Sequence, residues 1–302
     1  MEKTNPPVGG RDYPRTFQEF DKWFIREAYC RKYLQGLRWP NGFECPHCAA
    51  RKTPWVTAKG LLHCPSCQGQ TSVTAGTVFE GTRKPLRTWL LVMWFVTNQK
   101  NGASALGLQR ALGLKSYRTA WTWLHKLRRA MVPPDHDRLQ GIIEVGKTHV
   151  GGEARSRAIV VVAAERHEQG IGRIRLCQVA DASDAHLFPF IEAVVEPGSE
   201  VDTNVVPAGL AGSGIRGTEV SIRKPLPCVR EIAALLRKWL NGTHQGGVRK
   251  NHLDYYLDEF TFRFNLREPM ARGLLFYHLI RQACVTGPAP YKTLVGKPPT
   301  GG

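Results

Sequence analysis

Cys45-Pro46-His47-Cys48 and, fifteen residues later, Cys64-Pro65-Ser66-Cys67 form a C-x2-C-x15-C-x2-C pattern, the spacing of a four-thiolate zinc site. Each C-x2-C turn presents two sulfurs on one side of a tight knuckle. Two facing knuckles complete a tetrahedron with Zn–S near ~2.3 Å. The interval is long enough for one strand out and one back: Trp55-Val56-Thr57, a turn at Lys59-Gly60, and Leu61-Leu62-His63. Four thiolates leave no open coordination position, so the expected role is structural. Two disulfides are the alternative use of these cysteines. Against it, Cys30, Cys177, Cys228 and Cys284 are scattered, as reduced core thiols of a cytosolic protein are. His47 and His63 stand beside ligands and are read as bystanders. The ribbon is placed at 43–80.

On the N-terminal side, residues 1–42 form a helical segment, with Phe17, Phe20, Trp23, Phe24, Ala28 and Tyr29 recurring at helical spacing. On the other side Pro85 opens a helix over Leu86–Asn98. A short helix (103–111), a break at Gly113 and a second helix (116–130) with Ser116 as N-cap give a helix-turn-helix within 81–132. Tyr117, Arg118 and Thr119 at its start, and Lys126, Arg128 and Arg129 near its end, are the candidate DNA contacts.

Beyond a linker at Met131–Gln140, marked by Pro133-Pro134, the texture changes. Three strand-like runs follow (Ile142–Val150, Ala158–Ala164, Gly172–Val179), with turns at Gly151-Gly152 and His167–Gly170. Then come a helix (Ala185–Val195), a short strand (Glu200–Thr203) and helices over Val229–Leu240, Asn251–Asn265 and Leu274–Cys284. That order predicts an α/β fold with a ribonuclease-H-like core at 140–284. The tail, 285–302, is Gly/Pro/Lys-rich and expected to be flexible.

The 302 residues carry 42 Lys+Arg against 25 Asp+Glu, a net charge of +17, and 42% are hydrophobic. That apolar share excludes whole-chain disorder. No run approaches the ~18 apolar residues of a membrane span, and Met1–Pro6 lacks a signal-peptide core. The charge excess points to a polyanionic partner, DNA first, and to a cytoplasmic, nucleoid-associated protein.

Four stretches resemble a known family. The cysteine ribbon is followed by Thr71-Ser72-Val73-Thr74-Ala75-Gly76-Thr77-Val78-Phe79 and Pro85-Leu86. Glu144–Gly152, Trp239–Gly246 and His252–Asn265 carry the other matches. From about Thr16 to Ala283 the chain resembles the zinc-ribbon insertion-sequence transposases with a DDE core, the group named for insertion sequence fifteen-ninety-five. The resemblance implies carboxylates on the first and fourth strands, aided by a later helix, that hold two Mg²⁺ or Mn²⁺ ions for phosphoryl transfer on the element's DNA ends. It also implies a working homo-oligomer.

The sequence departs from the family at the catalytic positions. The first-strand aspartate is replaced by Gly146, with Lys147 next. The fourth-strand aspartate is replaced by Asn204, the helix residue by Arg230 and the lysine two turns later by Arg237. Glycine offers no ligand, and asparagine only a neutral oxygen. Arg230 and Arg237, two turns apart on one helix, suit phosphate contact. The expectation is therefore a transposase-family protein that binds DNA without cutting it. The alternative is an active enzyme using Glu144, Asp202 and Glu231 as shifted ligands, although a two-residue shift along a strand is ~6.6 Å against ~4 Å between paired metals.

Overall fold

The computed structural model describes residues 6–132, 137–151, 157–204, 206–219, 226–244, 248–267 and 273–295. Pro133-Pro134, Gly152, Val205, Gln245-Gly246 and the last residues of the tail lie outside them. The described residues fall into two compact units. Elements are numbered along the chain.

The first unit combines residues 6–132 with 273–295. It holds α1 (Phe17–Trp23), α2 (Glu27–Arg38), α3 (Leu86–Asn98), α4 (Ala105–Ala111), α5 (Tyr117–Met131), α9 (Leu274–Val285) and α10 (Tyr291–Val295), plus a small antiparallel sheet of β1 (Trp55–Val56), β2 (Leu62–His63) and β3 (Gln70–Thr71). α3 is apolar nearly all round, with Trp89, Leu90, Val92, Met93 and Val96 buried, which makes it the central helix of the unit. Its start is fixed from far away in sequence. The Glu27 carboxylate accepts hydrogen bonds from the N–H of Leu86 (2.6 Å) and Arg87 (3.3 Å), so an acid neutralises the free donors and the positive end of the helix. Aromatic rings weld the helices: Phe20 to Trp94 at 5.2 Å, Trp94 to Phe276 at 5.5 Å, and Trp89 stacked on Trp123 at 4.1 Å.

α9 corrects one expectation. The sequence order makes it the last helix of the 140–284 core, but Phe276, Leu279, Ile280 and Ala283 are buried and the helix packs on α2, α3 and α5 of the first unit. Helical periodicity marks an apolar stripe but not which partner covers it. The flexible tail is also corrected in part: residues 291–295 form α10, with Leu294 buried.

The second unit is a five-stranded sheet in the order β6-β5-β4-β7-β8, where β4 is Ile142–Val150, β5 Ala158–His167, β6 Gly170–Val179, β7 Glu200–Thr203 and β8 Arg216–Glu219. β4, β5 and β6 form an antiparallel meander, and β7 and β8 run parallel to β4. Alternation in β4 sends Ile143 and Val145 to one face, where α6 (Asp184–Val194) packs Leu187, Ile191 and Val194. On the other face α7 (Pro227–His244) and α8 (Leu253–Asn265) bury Val229, Ile232, Leu236, Leu257 and Phe260 against Val160 and Val162. The α/β class and its layout thus match the sequence reading. β8 was not expected: its four residues are all exposed and show no apolar alternation.

Candidate metal centres and nucleic-acid surface

In the ribbon, the four cysteine sulfurs lie within 4.8 Å of one another. Cys45 Sγ is 3.6 Å from Cys67 Sγ, and Cys48 Sγ is 3.8 Å from Cys64 Sγ. A tetrahedral ion with Zn–S near ~2.3 Å demands edges of about 3.8 Å, so the four thiols fit zinc. The two knuckles share one backbone plan. Ala49 N–H donates to Cys45 O and Gln68 N–H to Cys64 O, while Cys45 N–H donates to Ala50 O and Cys64 N–H to Gly69 O. Ala49 and Gln68 take left-handed φ values of 55° and 60°, a conformation that side chains disfavour. The sulfur geometry thus rests on two strained hinge residues that the spacing did not reveal. His63 stacks on Trp55 at 3.9 Å and stands outside the sulfur cluster, as does His47. Closed four-thiolate coordination makes the ion a cross-link for a small sheet that has almost no core of its own.

In the second unit, Glu144 and Asp202 are register partners on adjacent parallel strands and both are buried. One oxygen of Glu144 accepts the N–H groups of Cys228 (2.8 Å) and Val229 (3.4 Å) at the start of α7, where the helix dipole favours an anion. Arg166 of β5 donates from one nitrogen to Asp202 Oδ2 at 2.9 Å and reaches Glu144 Oε1 at 3.5 Å. Sequence reasoning missed Arg166. A signal was present: Val160, Val162, Ala164 and Arg166 alternate along one strand, so a cation ends the apolar row facing Glu144.

The site of the expected first aspartate is crowded by two side chains. A Cβ built on Gly146 would lie 3.0 Å from Val229 Cγ1 and 3.2 Å from Leu226 Cδ1, tighter than ordinary van der Waals contact. Asn204 is half-buried just past β7, and Arg230 and Glu231 are exposed on α7. Glu231 therefore does not join Glu144 and Asp202 in a three-acid cluster. Among the described residues the four cysteines are the one group of three or more metal-ligating side chains. Among the described residues, Glu144 and Asp202 alone do not make the three-acid set that a pair of divalent ions takes.

The basic residues divide. Tyr117 and Arg118 are exposed and Thr119 half-buried at the start of α5. Arg118 lies over the Tyr291 ring of α10 at 3.9 Å. Lys126 is half-buried, and burial pushes its amine down. Arg129 is half-buried. Arg128 is corrected: it is only 2% exposed and turns into the helical core, which removes it from any surface a phosphate could reach. Ser116 occupies the N-cap of α5 but makes no side-chain capping bond, whereas Ser104 caps α4 by accepting Gly107 N–H at 3.0 Å. Arg237 is exposed on α7 and hooks back to Thr148 Oγ1 at 2.9 Å.

A closed four-sulfur knuckle pair on a three-stranded sheet defines a zinc-ribbon protein. Residues 25–70 match the transposase zinc-ribbon domain. Over 139 residues the chain is 27% identical to "Uncharacterized protein in transposable element ISH50" of Halobacterium salinarum, a match covering 45% of this chain and 46% of that protein. The chain thus spans about half the length of that curated relative. The ribbon region is thus similar to a transposase zinc-ribbon domain, and a stretch of 139 residues to a protein of a transposable element.

Proposed function

We propose that the protein binds DNA, element ends first, and does not cut it. The carrying observation is the crowding of position 146. Leu226 and Val229 crowd the place from which a metal-binding side chain on β4 would start, and the neighbouring acids are met from within by Arg166 and the start of α7. The strand order, with a three-strand meander followed by two parallel strands and helices on both faces, supports a ribonuclease-H-like reading of the second unit. The α4–α5 pair with exposed Tyr117 and Arg118 supports a helix-turn-helix reading in the first, and the charge of +17 supports a polyanionic partner. No described helix is long and apolar enough to cross a membrane. A homo-oligomer and a place at the nucleoid belong to the same proposal.

The second reading, cleavage through Glu144, Asp202 and Glu231, has one observation in its favour: Glu144 and Asp202 are paired in register. A strand-nicking assay with Mg²⁺ or Mn²⁺ on DNA carrying the element's ends decides. The expected result is salt-sensitive binding without nicking. Nicking abolished by Glu144→Gln or Asp202→Asn would establish the second reading, and failure to bind DNA at low salt would remove both.

A further inference from the structure

We propose that Arg166 is the built-in counter-cation of the Glu144–Asp202 pair and holds the place a divalent ion would otherwise take. The inference deepens the non-cleaving reading and rests on the geometry of three neighbouring strands.

Glu144 lies opposite Asp202 on β7 and opposite Ala164 on β5. Arg166 is two residues beyond Ala164, on the same face of β5, and reaches back across β4. A single guanidinium nitrogen is 2.9 Å from Asp202 Oδ2 and 3.5 Å from Glu144 Oε1. An ion that bonds oxygens at about 2.0–2.2 Å and bridges these two oxygens would compete for the volume this nitrogen fills. The other oxygen of Glu144 is engaged by the N–H groups of Cys228 and Val229. Gly146 offers no further side-chain ligand and Glu231 is exposed, so an ion that displaced the guanidinium would draw the rest of its shell from water.

Charge balance leads to the same assignment. Two buried carboxylates bring two negative charges. The guanidinium supplies one positive charge, and the start of α7 about half of another. A close acid pair without a counter-charge repels itself, which a proton, a metal ion or a cationic side chain can relieve. Here the compensation is covalently tethered, so the core is complete without metal. The Arg166 side chain is 40% exposed, so its outer nitrogens keep water while its inner one serves the acids.

The test uses the full chain with the ribbon loaded with zinc, and Mn²⁺ as the probe. Wild type is expected to show no change in melting temperature on adding millimolar Mn²⁺ and no bound Mn²⁺ by electron paramagnetic resonance. Arg166→Gln leaves two buried charges facing each other. Its second unit is expected to melt lower in metal-free buffer by on the order of 10 °C, to regain much of that with Mn²⁺, and to bind one Mn²⁺. Arg166→Lys, which keeps the charge, is expected to remain indifferent to Mn²⁺. Wild-type Mn²⁺ binding that Asp202→Asn abolishes would overturn the proposal, as would an Arg166→Gln protein with unchanged melting and no bound ion. Should Arg166→Gln not fold in either buffer, the triple variant R166Q/E144Q/D202N carries the test. Its folding supports the counter-cation role, and its failure overturns it. DNA retention and nicking on the same preparations separate the two claims. Loss of DNA binding with the expected Mn²⁺ results removes the DNA reading alone. Mn²⁺ at Asp202 without nicking removes the counter-cation alone.

Discussion

Gly146 on β4 faces the Val229 and Leu226 side chains at close range. With Val229 Cγ1 at 3.0 Å from a Cβ on that residue, Gly146→Asp requires the Val229 and Leu226 side chains to give way and adds a carboxylate beside Glu144. The variant is expected to lose about 1–3 kcal/mol from overpacking, more from the added charge, and to gain no Mn²⁺ affinity. Denaturant unfolding of the zinc-loaded chain measures the first, and a variant as stable as the parent would refute it. Glu165 supplies a pH handle on the same unit. Burial raises its carboxyl, but the Arg173 side chain at 2.7 Å and the N–H groups of Arg173 and Gln140 at 2.8 and 3.0 Å outweigh that and hold it below the usual carboxylate range. A depressed folded-state value gives stability that is present above the unfolded value of about 4.3 and lost as pH falls through the folded one. Glu165→Gln is therefore expected to flatten the stability curve of the second unit below that pH, as read by circular dichroism across an acid titration.

Among the elements, the ribbon depends most on its ligand. Its strands are two residues long, too short to fold by pairing. Chelation is expected to unfold it, exposing residues 43–80 to limited proteolysis while the second unit stays protected. A digestion pattern unchanged by chelator, with no zinc in the sample, would end the metal assignment. The ribbon was legible in the sequence because ligand chemistry fixes spacing, and α3, α5, α7 and β4 were legible because one apolar face sets a period. β8 was invisible for the opposite reason: a short, exposed edge strand in a Gly-rich stretch carries no apolar alternation. Arg128 shows the same limit at a site residue. It sits among basic neighbours in the sequence, and only its position on the inner face of α5 reveals that it is buried. The hinge residues Ala49 and Gln68 carry no mark in the sequence, since left-handed backbone favours glycine.

For the whole molecule the excess of +17 predicts DNA affinity that falls steeply with salt, the logarithm of the constant dropping by about 0.9 per phosphate neutralised. Arg118→Ala is expected to weaken binding and reduce that slope by about one such unit. Arg128→Ala is expected to leave the slope unchanged and to cost about 2–4 kcal/mol of stability instead. Filter binding over a salt series, with melting curves beside it, distinguishes the two, and equal slope changes would refute the placement of Arg128. The two compact units also differ in how the chain composes them. Residues 137–267 of the second are continuous, whereas α9 and α10 return to the first after all of the second has been laid down. During synthesis the sheet has everything it needs as soon as α8 leaves the ribosome. The helical bundle, with its aromatic centre lacking Phe276, has to wait until residues 274–295 have been made. A premature stop after residue 267 would therefore damage the segment made first more than the segment made last.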